Sequence, residues 1–397
     1  MKKEKNNIFT TKEVVTLVII TCIVSFVMGA IFFGNGSSGT KLLDSNLNEF
    51  IEQYDYIVEN YYEEVNKKEL IKGAIKGMVE SLGDDYSVYL DQDVSNNFNI
   101  TLNGSYEGIG VTVANNINNE IVIIGIFENS PAEKAGLKVM DIITKFNGKD
   151  ISDKTATELT KMIKELNTNT FSLEILREGD KKVVTIEKDI VTIKSVDSKM
   201  INKNDTKIGY IQIGIFADNT YKQFKEQLNK LENDKMNALI IDLRGNSGGH
   251  LDIVTDMTSL FLDSKKVIYQ MQTKEKVEKV YSKGKKDKNY PIYILIDNDT
   301  ASASEVMASA LKEQLGAILI GETSYGKGTV QEVKYTSSGE QYKFTTKKWL
   351  TSKGDWLKGK GLKPDVEIKL NNKYFEEPIE ENDNQLNEAI NIISKNK

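Results

Sequence analysis

The sequence predicts an α/β core built on a parallel-rich sheet, preceded by a smaller strand-rich domain, a helical segment and a single transmembrane helix. Buried-type strands alternate with helices after residue 190, short strands separated by turns occupy residues 104–190, and one long uncharged run lies near the N-terminus. A length of 397 residues suits about two or three domains. We divide the chain into a cytoplasmic N-terminus (1–12), a transmembrane anchor (13–34), a linker with a helical segment (35–103), the strand-rich domain (104–190), the core (191–370) and a C-terminal tail (371–397).

Composition excludes several classes of protein. Lys and Arg number 52 against 58 Asp and Glu, a net charge of −6, so nothing in the overall charge suggests a nucleic-acid binder. One Cys and one His exclude an intramolecular disulfide framework and a Cys/His zinc cluster, and we expect neither a metal nor a cofactor. Cys22 lies in an apolar run, which disfavours a thiol nucleophile. Hydrolytic chemistry would have to use Ser, Thr, Lys, Asp or Glu, or an arrangement built on His250.

Residues 14–33 form an uncharged run of twenty residues, long enough as a helix to cross a hydrocarbon core of about 30 Å. Lysines 2, 3, 5 and 12 precede this run, which predicts that the N-terminus is cytoplasmic and that residues 35–397 lie outside the cytoplasm. The alternative is a cleaved signal peptide, whose apolar region normally spans about 7–15 residues before a small-residue cleavage site. Neither feature is clear here, so we predict an uncleaved anchor in the cell membrane, with the lipid bilayer as a partner.

Two further segments have apolar residues at helical spacing. Residues 42–82 predict helices that pack through an apolar stripe, ending at Gly83-Asp-Asp85. In the tail, Leu386, Ala389, Ile390 and Ile393 predict an amphipathic helix, which could pack on the core or on a second subunit.

The pattern of residues 104–190 predicts short strands separated by turns. Strands are predicted at 108–113 and 121–126, and Ser130 before Pro131 is a helix start signal. Asn147-Gly148 predicts a tight hairpin, a helix follows at 155–166, and a second hairpin closes the segment.

This order of elements, with Tyr106-Glu-Gly-Ile-Gly-Val111 and Ser130-Pro-Ala-Glu-Lys-Ala-Gly-Leu137, resembles a PDZ domain. The resemblance implies that an extended peptide adds to an open sheet edge while a glycine-rich loop binds its terminal carboxylate. We expect peptides or proteins with apolar C-termini as ligands. The residues that would bind them are Gly108, Ile109, Gly110 and Val111. The alternative is that these glycines only serve a turn, and Val139-Met140 departs from the Pro-Gly that such domains often have.

The core contains three buried strands, at residues 238–243, 291–296 and 317–321, each followed by a polar loop. Strand–loop–helix units imply a largely parallel sheet, whose sites form at the carboxyl ends of the strands. We therefore expect the loops to open on the same edge.

Ser302 lies where the second loop meets a helix. With Glu305 it forms an S-x-x-E capping box, which alone would explain both residues. The same position at a helix N-terminus also suits a nucleophile, because free N–H groups there can stabilise an oxyanion. Lys327, between two glycines, follows the third strand and returns to the same edge. The segment approaches a P-loop at Gly321–Lys327, but Gly328 replaces the required Ser or Thr and a strand follows, which disfavours nucleotide binding.

Taken together, the ordered motifs resemble the carboxyl-terminal processing peptidases, which are serine proteases with a Ser/Lys dyad. Besides the helical segment and the PDZ-like domain, the resemblance rests on Asp242-Leu-Arg-Gly-Asn-Ser-Gly-Gly249, Thr300-Ala-Ser-Ala-Ser-Glu305, Ser324-Tyr-Gly-Lys-Gly-Thr-Val-Gln331, Lys343-Phe-Thr-Thr346 and Gly361-Leu-Lys-Pro-Asp-Val366. It implies Ser302 as nucleophile, Lys327 as base and Gln331 as the residue that orients the base. Ser247 and Ser352 stand where proline is common in the family.

The resemblance implies a serine endopeptidase that cleaves proteins near their C-termini through an acyl-enzyme, and the predicted anchor places its catalytic part outside the cytoplasm. A free lysine has a pKa of about 10.4, so Lys327 must be desolvated to act as a base, and burial can lower a lysine pKa by about 3–5. We expect the Ala303 and Gly248 N–H groups to bind the oxyanion. Three alternatives stay open: His250 as the base, a catalytically idle PDZ scaffold, and an acyl-transfer enzyme for small molecules. An activating partner or a homodimer is also open.

Overall fold

The computed structural model describes residues 45–336 and 340–395, so the predicted anchor at 13–34 lies outside the described residues. The first elements are α1 (Ser45–Asn60), α2 (Lys67–Glu80), β1 (Val88–Leu90) and α3 (Gln92–Asn103). Helices α1 and α2 agree with the predicted helical spacing. The predicted packing of the apolar stripe is wrong for α1, because Leu47, Phe50 and Ile57 remain 41–44% exposed. No helix within the described ranges combines the length and the apolar character that crossing a membrane requires.

The strand-rich domain folds around an antiparallel sheet with the strand order β3-β4-β5-β7-β8, and a two-stranded β2–β9 sheet lies outside it. Its elements are β2 (Ser105–Gly108), β3 (Val111–Asn115), β4 (Ile121–Ile126), α4 (Pro131–Lys134), β5 (Ile142–Phe146), β6 (Lys149–Asp150), α5 (Ala156–Lys164), β7 (Thr170–Arg177), β8 (Asp180–Glu187) and β9 (Asp189–Thr192). Among the described strands, β3 pairs only with β4 in this sheet, so its outer edge is open.

Local signals account for the helices and turns of this domain. The Ser130 side chain accepts a hydrogen bond from the Glu133 N–H and caps α4, as the Ser-Pro pair predicts. Thr155 caps α5 in a full capping box with Glu158. Asn147 and Gly148 have φ of +49° and +76°, the left-handed values that a tight hairpin between β5 and β6 requires.

The core is a six-stranded sheet in the order β10-β11-β12-β15-β16-β19, and all neighbours from β11 onward are parallel. Its strands are β10 (Val196–Lys203), β11 (Thr206–Ile213), β12 (Ala238–Asp242), β15 (Ile292–Ile296), β16 (Ile318–Gly321) and β19 (Val366–Glu367), with helices α6 (Thr220–Asn233), α7 (Leu251–Ser259) and α8 (Ala303–Leu315) between them. Every residue of β12 and β15 is buried, as their continuous apolar runs predict. The prediction of a parallel-rich core is therefore confirmed. The loops after β12, β15 and β16 all begin at the same edge of the sheet, where the carboxyl ends of these strands lie.

A second, antiparallel sheet lies beside the core and was not predicted. It runs β1-β18-β13-β14, and β17 pairs with β18. Its remaining strands are β13 (Val267–Gln272), β14 (Val277–Tyr281), β17 (Thr329–Tyr335) and β18 (Gln341–Leu350). Gln331 of β17 lies directly opposite Thr345 of β18. This sheet therefore carries the predicted base-orienting residue to the site.

The C-terminal tail contains α9 (Asn372–Glu376), a short 3₁₀ helix (Glu380–Asn382) and α10 (Asn384–Lys395). The four apolar residues predicted to face one side of α10 are all buried, and they form a cluster with Ile240, Tyr293 and Ile320 of the core sheet. Of the two predicted alternatives, the structure therefore supports packing on the core.

Candidate active site

Ser302 lies between β15 and the first residue of α8, at the predicted strand-to-helix junction. Its backbone has φ +56° and ψ −118°, a conformation that residues other than glycine rarely adopt. Such strain is on the order of 1–3 kcal/mol and persists only where the surroundings enforce it. A strained serine at a strand–helix turn is also how other hydrolases present a hydroxyl nucleophile. The geometry therefore favours a nucleophile over a helix cap alone.

One buried carboxylate joins the loops that carry Ser302 and Lys327. Glu305, fully buried in the first turn of α8, accepts hydrogen bonds at Oε2 from the backbone N–H groups of Ser302 and Lys327, each at 2.9 Å. Its Oε1 accepts from the Gly326 N–H at 2.8 Å and the Ser324 hydroxyl at 2.6 Å. The backbone nitrogens of Ser302 and Lys327 are thus within two hydrogen-bond lengths of each other. The capping bond predicted from the sequence is one of four, and the other three hold the lysine loop.

The half-buried Lys327 side chain belongs to the loop between β16 and β17. Burial lowers the pKa of Lys327 and the charge of Lys343 lowers it further, whereas Asp84 and Glu305 act in the opposite direction. Nζ lies 5.0 Å from the centre of the Tyr86 ring. No carboxylate in the described part of the chain forms an ion pair with this amine. The surroundings therefore favour the neutral amine that a base requires.

Gln331, which the family resemblance assigns to orienting the base, makes hydrogen bonds to two threonines. Its Nε2 donates to Oγ1 of Thr329 at 3.0 Å and to Oγ1 of Thr345 at 3.1 Å. The described contacts of the Gln331 side chain thus go to these hydroxyls and not to Lys327. The structure therefore brings Gln331 to the site through the second sheet but does not display the expected bond to the base.

The two expected oxyanion donors lie next to each other. Ala303 opens α8, where the first N–H groups lack helical partners. Gly248, with φ +113°, packs so closely on this turn that a Cβ would be 2.9 Å from Cβ of Ser302 and 3.1 Å from N of Ala303. The structure differs from the expectation in one respect, since the Gly248 N–H donates to Oδ1 of Asn246 at 2.9 Å. This bond between residues two apart is an Asx turn, which shapes the glycine loop.

Arg244 holds the start of the glycine loop. Its guanidinium makes hydrogen bonds of 2.6–3.1 Å to Asp242, of 2.8 and 3.0 Å to Asp383, and of 3.0 Å to Gln385. Burial alone would lower the pKa of Arg244, but these carboxylates raise it, so the group stays charged. The C-terminal tail therefore supplies part of the support beneath the glycine loop.

The described contacts of His250 do not include Ser302 or Lys327. His250 precedes α7, its N–H donates to the Phe216 carbonyl at 2.8 Å, and its Nε2 lies 3.3 Å from a carboxylate oxygen of Asp218. The His250 side chain makes no capping hydrogen bond, and no described contact joins it to Ser302, so the structure lends no support to a histidine base.

The predicted peptide-binding residues meet in a groove of about 630 Å³ beside the open edge of β3. Helix α5 forms the apolar wall with Leu159 and Ile163, and α3 forms another wall with Asn99 and Ile100. The glycine-rich loop and the start of β3 complete the lining with Gly108, Ile109, Gly110 and Val111. Gly110 has φ +77°, and a Cβ there would be 2.3 Å from Cβ of Ser130, so this position requires glycine.

Four residues near the site were missed in the sequence analysis: Asp84, Tyr86, Asn246 and Thr345. The sequence indicated only that Asp84 lies where a helix ends. In the structure its carboxylate accepts a hydrogen bond from the Thr345 hydroxyl, 261 positions away in the chain. Asn246 and Thr345 lie inside the motifs at residues 242–249 and 343–346, where the resemblance assigns them no role. An Asn two residues before a glycine is a turn signal that could have identified Asn246. No local pattern could have paired Asp84 with Thr345.

Three protein-family models match successive parts of the chain. The first, described as the activating protease CtpB N-terminal domain, matches residues 34–94. A PDZ domain model matches residues 107–187, and a model of peptidase family S41 matches residues 207–368.

Whole-chain relatives agree with these matches. The carboxy-terminal processing protease CtpA of Bacillus subtilis is 37% identical over 360 residues, which cover 89% of this chain and 76% of that protein. CtpB of the same organism is 34% identical over 89% of this chain and 73% of its own length. A solved structure of a putative S41 protease from Bacteroides fragilis, 18% identical, has a TM-score of 0.52 and covers 81% of this chain and 90% of its own, which supports the fold alone. On the strength of its identity to CtpA and CtpB, the chain belongs to the carboxy-terminal processing serine proteases of peptidase family S41.

Proposed function

We propose that the chain is a membrane-anchored, extracytoplasmic serine endopeptidase that cleaves protein substrates near their C-termini, with Ser302 as nucleophile and Lys327 as base. One observation carries the assignment of the dyad: Oε2 of Glu305 binds the backbone N–H groups of both residues. The strained backbone of Ser302 and the lowered pKa of Lys327 support the same roles.

The reaction proceeds in two half-reactions. Nζ of neutral Lys327 accepts the Ser302 hydroxyl proton as Oγ bonds to the scissile carbonyl carbon. The tetrahedral intermediate collapses, the C–N bond breaks, and the leaving amine takes the proton from the Lys327 ammonium. Water then attacks the acyl-enzyme while Lys327 accepts a proton from it, and Ser302 Oγ leaves and regains that proton. The products are two peptide fragments and the unchanged enzyme.

The N–H groups of Ala303 and Gly248 would stabilise the negative oxygen of both tetrahedral intermediates. Both groups adjoin Ser302, since a Cβ on Gly248 would nearly touch Ser302 and Ala303. The Gly248 N–H exchanges its bond to Asn246 for the oxyanion as charge develops there.

The groove beside β3 would bind the substrate's C-terminus. An extended peptide can pair with the open edge of β3, and the loop at residues 108–110 can direct N–H groups at the terminal carboxylate. Because Ile109, Leu159 and Ile163 line the groove, we expect an apolar C-terminal residue.

The anchor and the location rest on the uncharged run at 14–33 and the lysines before it. The test uses Ile117, which is fully exposed in a surface turn. An Ile117→Cys variant should react with a membrane-impermeant maleimide on intact cells, and a cysteine placed within residues 1–12 should react only after lysis. Labelling of the second cysteine but not the first would contradict the proposed orientation.

Proteolysis is tested with the full-length chain in detergent and an unstructured protein as substrate. The wild type should release fragments, and Ser302→Ala should release none. Ser309→Ala is a matched control, because this buried serine lies on the same helix and its hydroxyl donates to the Val306 carbonyl. Binding without fragments by the wild type would identify an idle scaffold, and turnover of small esters without fragments would identify a small-molecule acyl-transfer enzyme.

A further inference from the structure

The turn after α2 brings a carboxylate to the second sheet. Within it, the Ser87 N–H donates to the Asp84 carbonyl at 2.9 Å, and the Ser87 hydroxyl donates to Oδ2 of Asp84 at 2.5 Å. Strand β1 follows at once and pairs with β18 in the register Val88 to Lys343. The Thr345 N–H then donates to Oγ of Ser87 at 3.1 Å. Asp84 is therefore held beside the strand that faces Gln331.

A directed chain of hydrogen bonds runs from Gln331 to Asp84. The Thr345 hydroxyl lies 2.6 Å from Oδ2 of Asp84, and a carboxylate can only accept, so the single hydroxyl proton of Thr345 is committed to Asp84. Oγ1 of Thr345 can then only accept from Gln331, which is 3.1 Å away. Only the NH₂ end of the amide can donate, so the ionised state of Asp84 determines which end of Gln331 faces the threonines.

The same turn also reaches the base. The ring of Tyr86 lies 5.0 Å from Nζ of Lys327, and its hydroxyl donates to the Tyr325 hydroxyl at 3.3 Å. Tyr325 belongs to the loop that carries Lys327. The turn therefore borders Lys327 through Tyr86 and holds Gln331 through Asp84 and Thr345.

We propose that Asp84 is a positioning residue for the base: through Thr345 it turns the NH₂ group of Gln331 toward the threonines and leaves Oε1 as the acceptor for Lys327. This inference rests on the proposed function, since it takes Lys327 as the base. It explains why the amide bonds two threonines here, because those bonds define the orientation in which the carbonyl end can receive an N–H of Lys327 when substrate is bound.

Asp84 is ionised under the conditions in which Lys327 is neutral. Burial alone would raise the pKa of Asp84, but hydrogen bonds from Ser87 and Thr345 and the charge of Lys358 lower it. Its negative charge also acts directly on Lys327 by raising the pKa of that amine. Asp84 thus has two separable effects, an orienting effect through Gln331 and a direct electrostatic effect on the base.

The central variant is Asp84→Asn, measured in the full-length chain with an internally quenched peptide that has an apolar C-terminal residue. An asparagine can donate or accept toward Thr345, so the direction of the chain is lost. We expect kcat on the high-pH plateau to fall about tenfold, equivalent to about 1.4 kcal/mol of transition-state stabilisation, with KM nearly unchanged. The rising limb of kcat against pH should move to lower pH, because a charge that favours protonated Lys327 is gone.

A double-mutant cycle with Gln331→Ala separates the two effects. In that background, Asp84→Asn should no longer lower the plateau, whereas the pH shift should persist. An unchanged plateau for Asp84→Asn in the wild-type background, or an equal loss in both backgrounds, would overturn the proposal.

Three further variants guard against a purely structural effect. Thr345→Val should reproduce the plateau loss of Asp84→Asn without adding to it, and Thr345→Ser, which keeps the hydroxyl, should restore the plateau. Asp85→Asn is the matched charge control, since this exposed neighbour loses the same charge and should keep the wild-type plateau. A Thr345→Ser variant as impaired as Thr345→Val would contradict the hydroxyl relay.

Failure of this inference is distinguishable from failure of the proposed function. Full activity of Lys327→Ala would remove the dyad, whatever Asp84→Asn does. An inactive Lys327→Ala together with fully active Asp84→Asn and Gln331→Ala would leave the dyad in place and remove only the positioning role.

Discussion

Glu305 is the residue whose replacement most directly tests how the site is held together. Its carboxylate accepts three backbone N–H groups and one hydroxyl while fully buried. Burial raises the pKa of Glu305, although the hydrogen bonds oppose that effect. A glutamine at this position also represents the protonated carboxyl, in which one oxygen no longer accepts freely.

The structure gives different magnitudes for Glu305→Gln and Glu305→Ala. Glutamine can keep its oxygen toward the N–H groups of Ser302 and Lys327 if its NH₂ group faces Gly326 and Ser324. The Ser324 hydroxyl can rotate to accept, so one N–H, that of Gly326, loses its acceptor, at about 1–3 kcal/mol. Alanine removes the acceptor of three backbone N–H groups, which corresponds to about 3–9 kcal/mol on the same scale.

The assay combines urea unfolding with peptide cleavage. Glu305→Gln should lower the free energy of unfolding by about 1–3 kcal/mol without changing the denaturant slope, and it should retain part of the activity. Glu305→Ala should lose most of the activity and be much less stable, since native proteins are typically stable by only about 5–15 kcal/mol. Equal stability and activity of the two variants would refute the view that this carboxylate joins the two loops.

The remaining predictions concern the dyad, the pH profile and the groove. Ser302→Ala and Lys327→Ala should each abolish cleavage, and single-turnover kinetics of the double variant should display no further loss, because the two groups act as a unit. Ser304→Ala should keep activity while urea unfolding records a loss of about 1 kcal/mol, the net value of its bond to the Asn246 carbonyl; an inactive variant here beside an active Ser302→Ala would reverse the assignment. The rising limb of kcat/KM against pH should lie below the ordinary lysine pKa of about 10.4, because burial lowers the pKa of Lys327 and only the neutral amine accepts a proton, and titrations of His250→Ala should reproduce it. Ile163→Asp should raise KM for a peptide with an apolar C-terminus more than for its C-terminal amide, and equal changes for both would remove the groove from substrate selection.

The parts of the molecule that the sequence predicted correctly are those with local signals. Strands β12 and β15 are continuous apolar runs, and buried parallel strands need no other signal. The turn at Asn147-Gly148 and the cap at Ser130 are specified by neighbouring residues. The meeting of Ser302 and Lys327 followed from topology, because parallel strands deliver their loops to one edge.

The parts that were missed depend on pairings between distant segments. Strand β1 has three residues, too few to display a period, and it pairs with β18 more than 250 positions later. The bond from Gln331 to Thr345 follows from the register of β17 on β18, which no motif specifies. The bond from Gly248 to Asn246 is local, but its presence in a loop of several glycines depends on the backbone conformation that the surrounding core imposes.

The support beneath the glycine loop has a consequence for the order of biosynthesis. Arg244 is joined to residues 139 and 141 positions later, Asp383 and Gln385, which a ribosome adds long after the loop itself. Burying the Arg244 guanidinium with only part of its counter-charge is unfavourable. We therefore expect the glycine loop beside Ser302 to adopt its native conformation only after the tail has been translated and α10 has packed on the core. We therefore expect the nascent polypeptide to be inactive until its C-terminal tail has been synthesised, which would spare its own unfolded domains from self-cleavage.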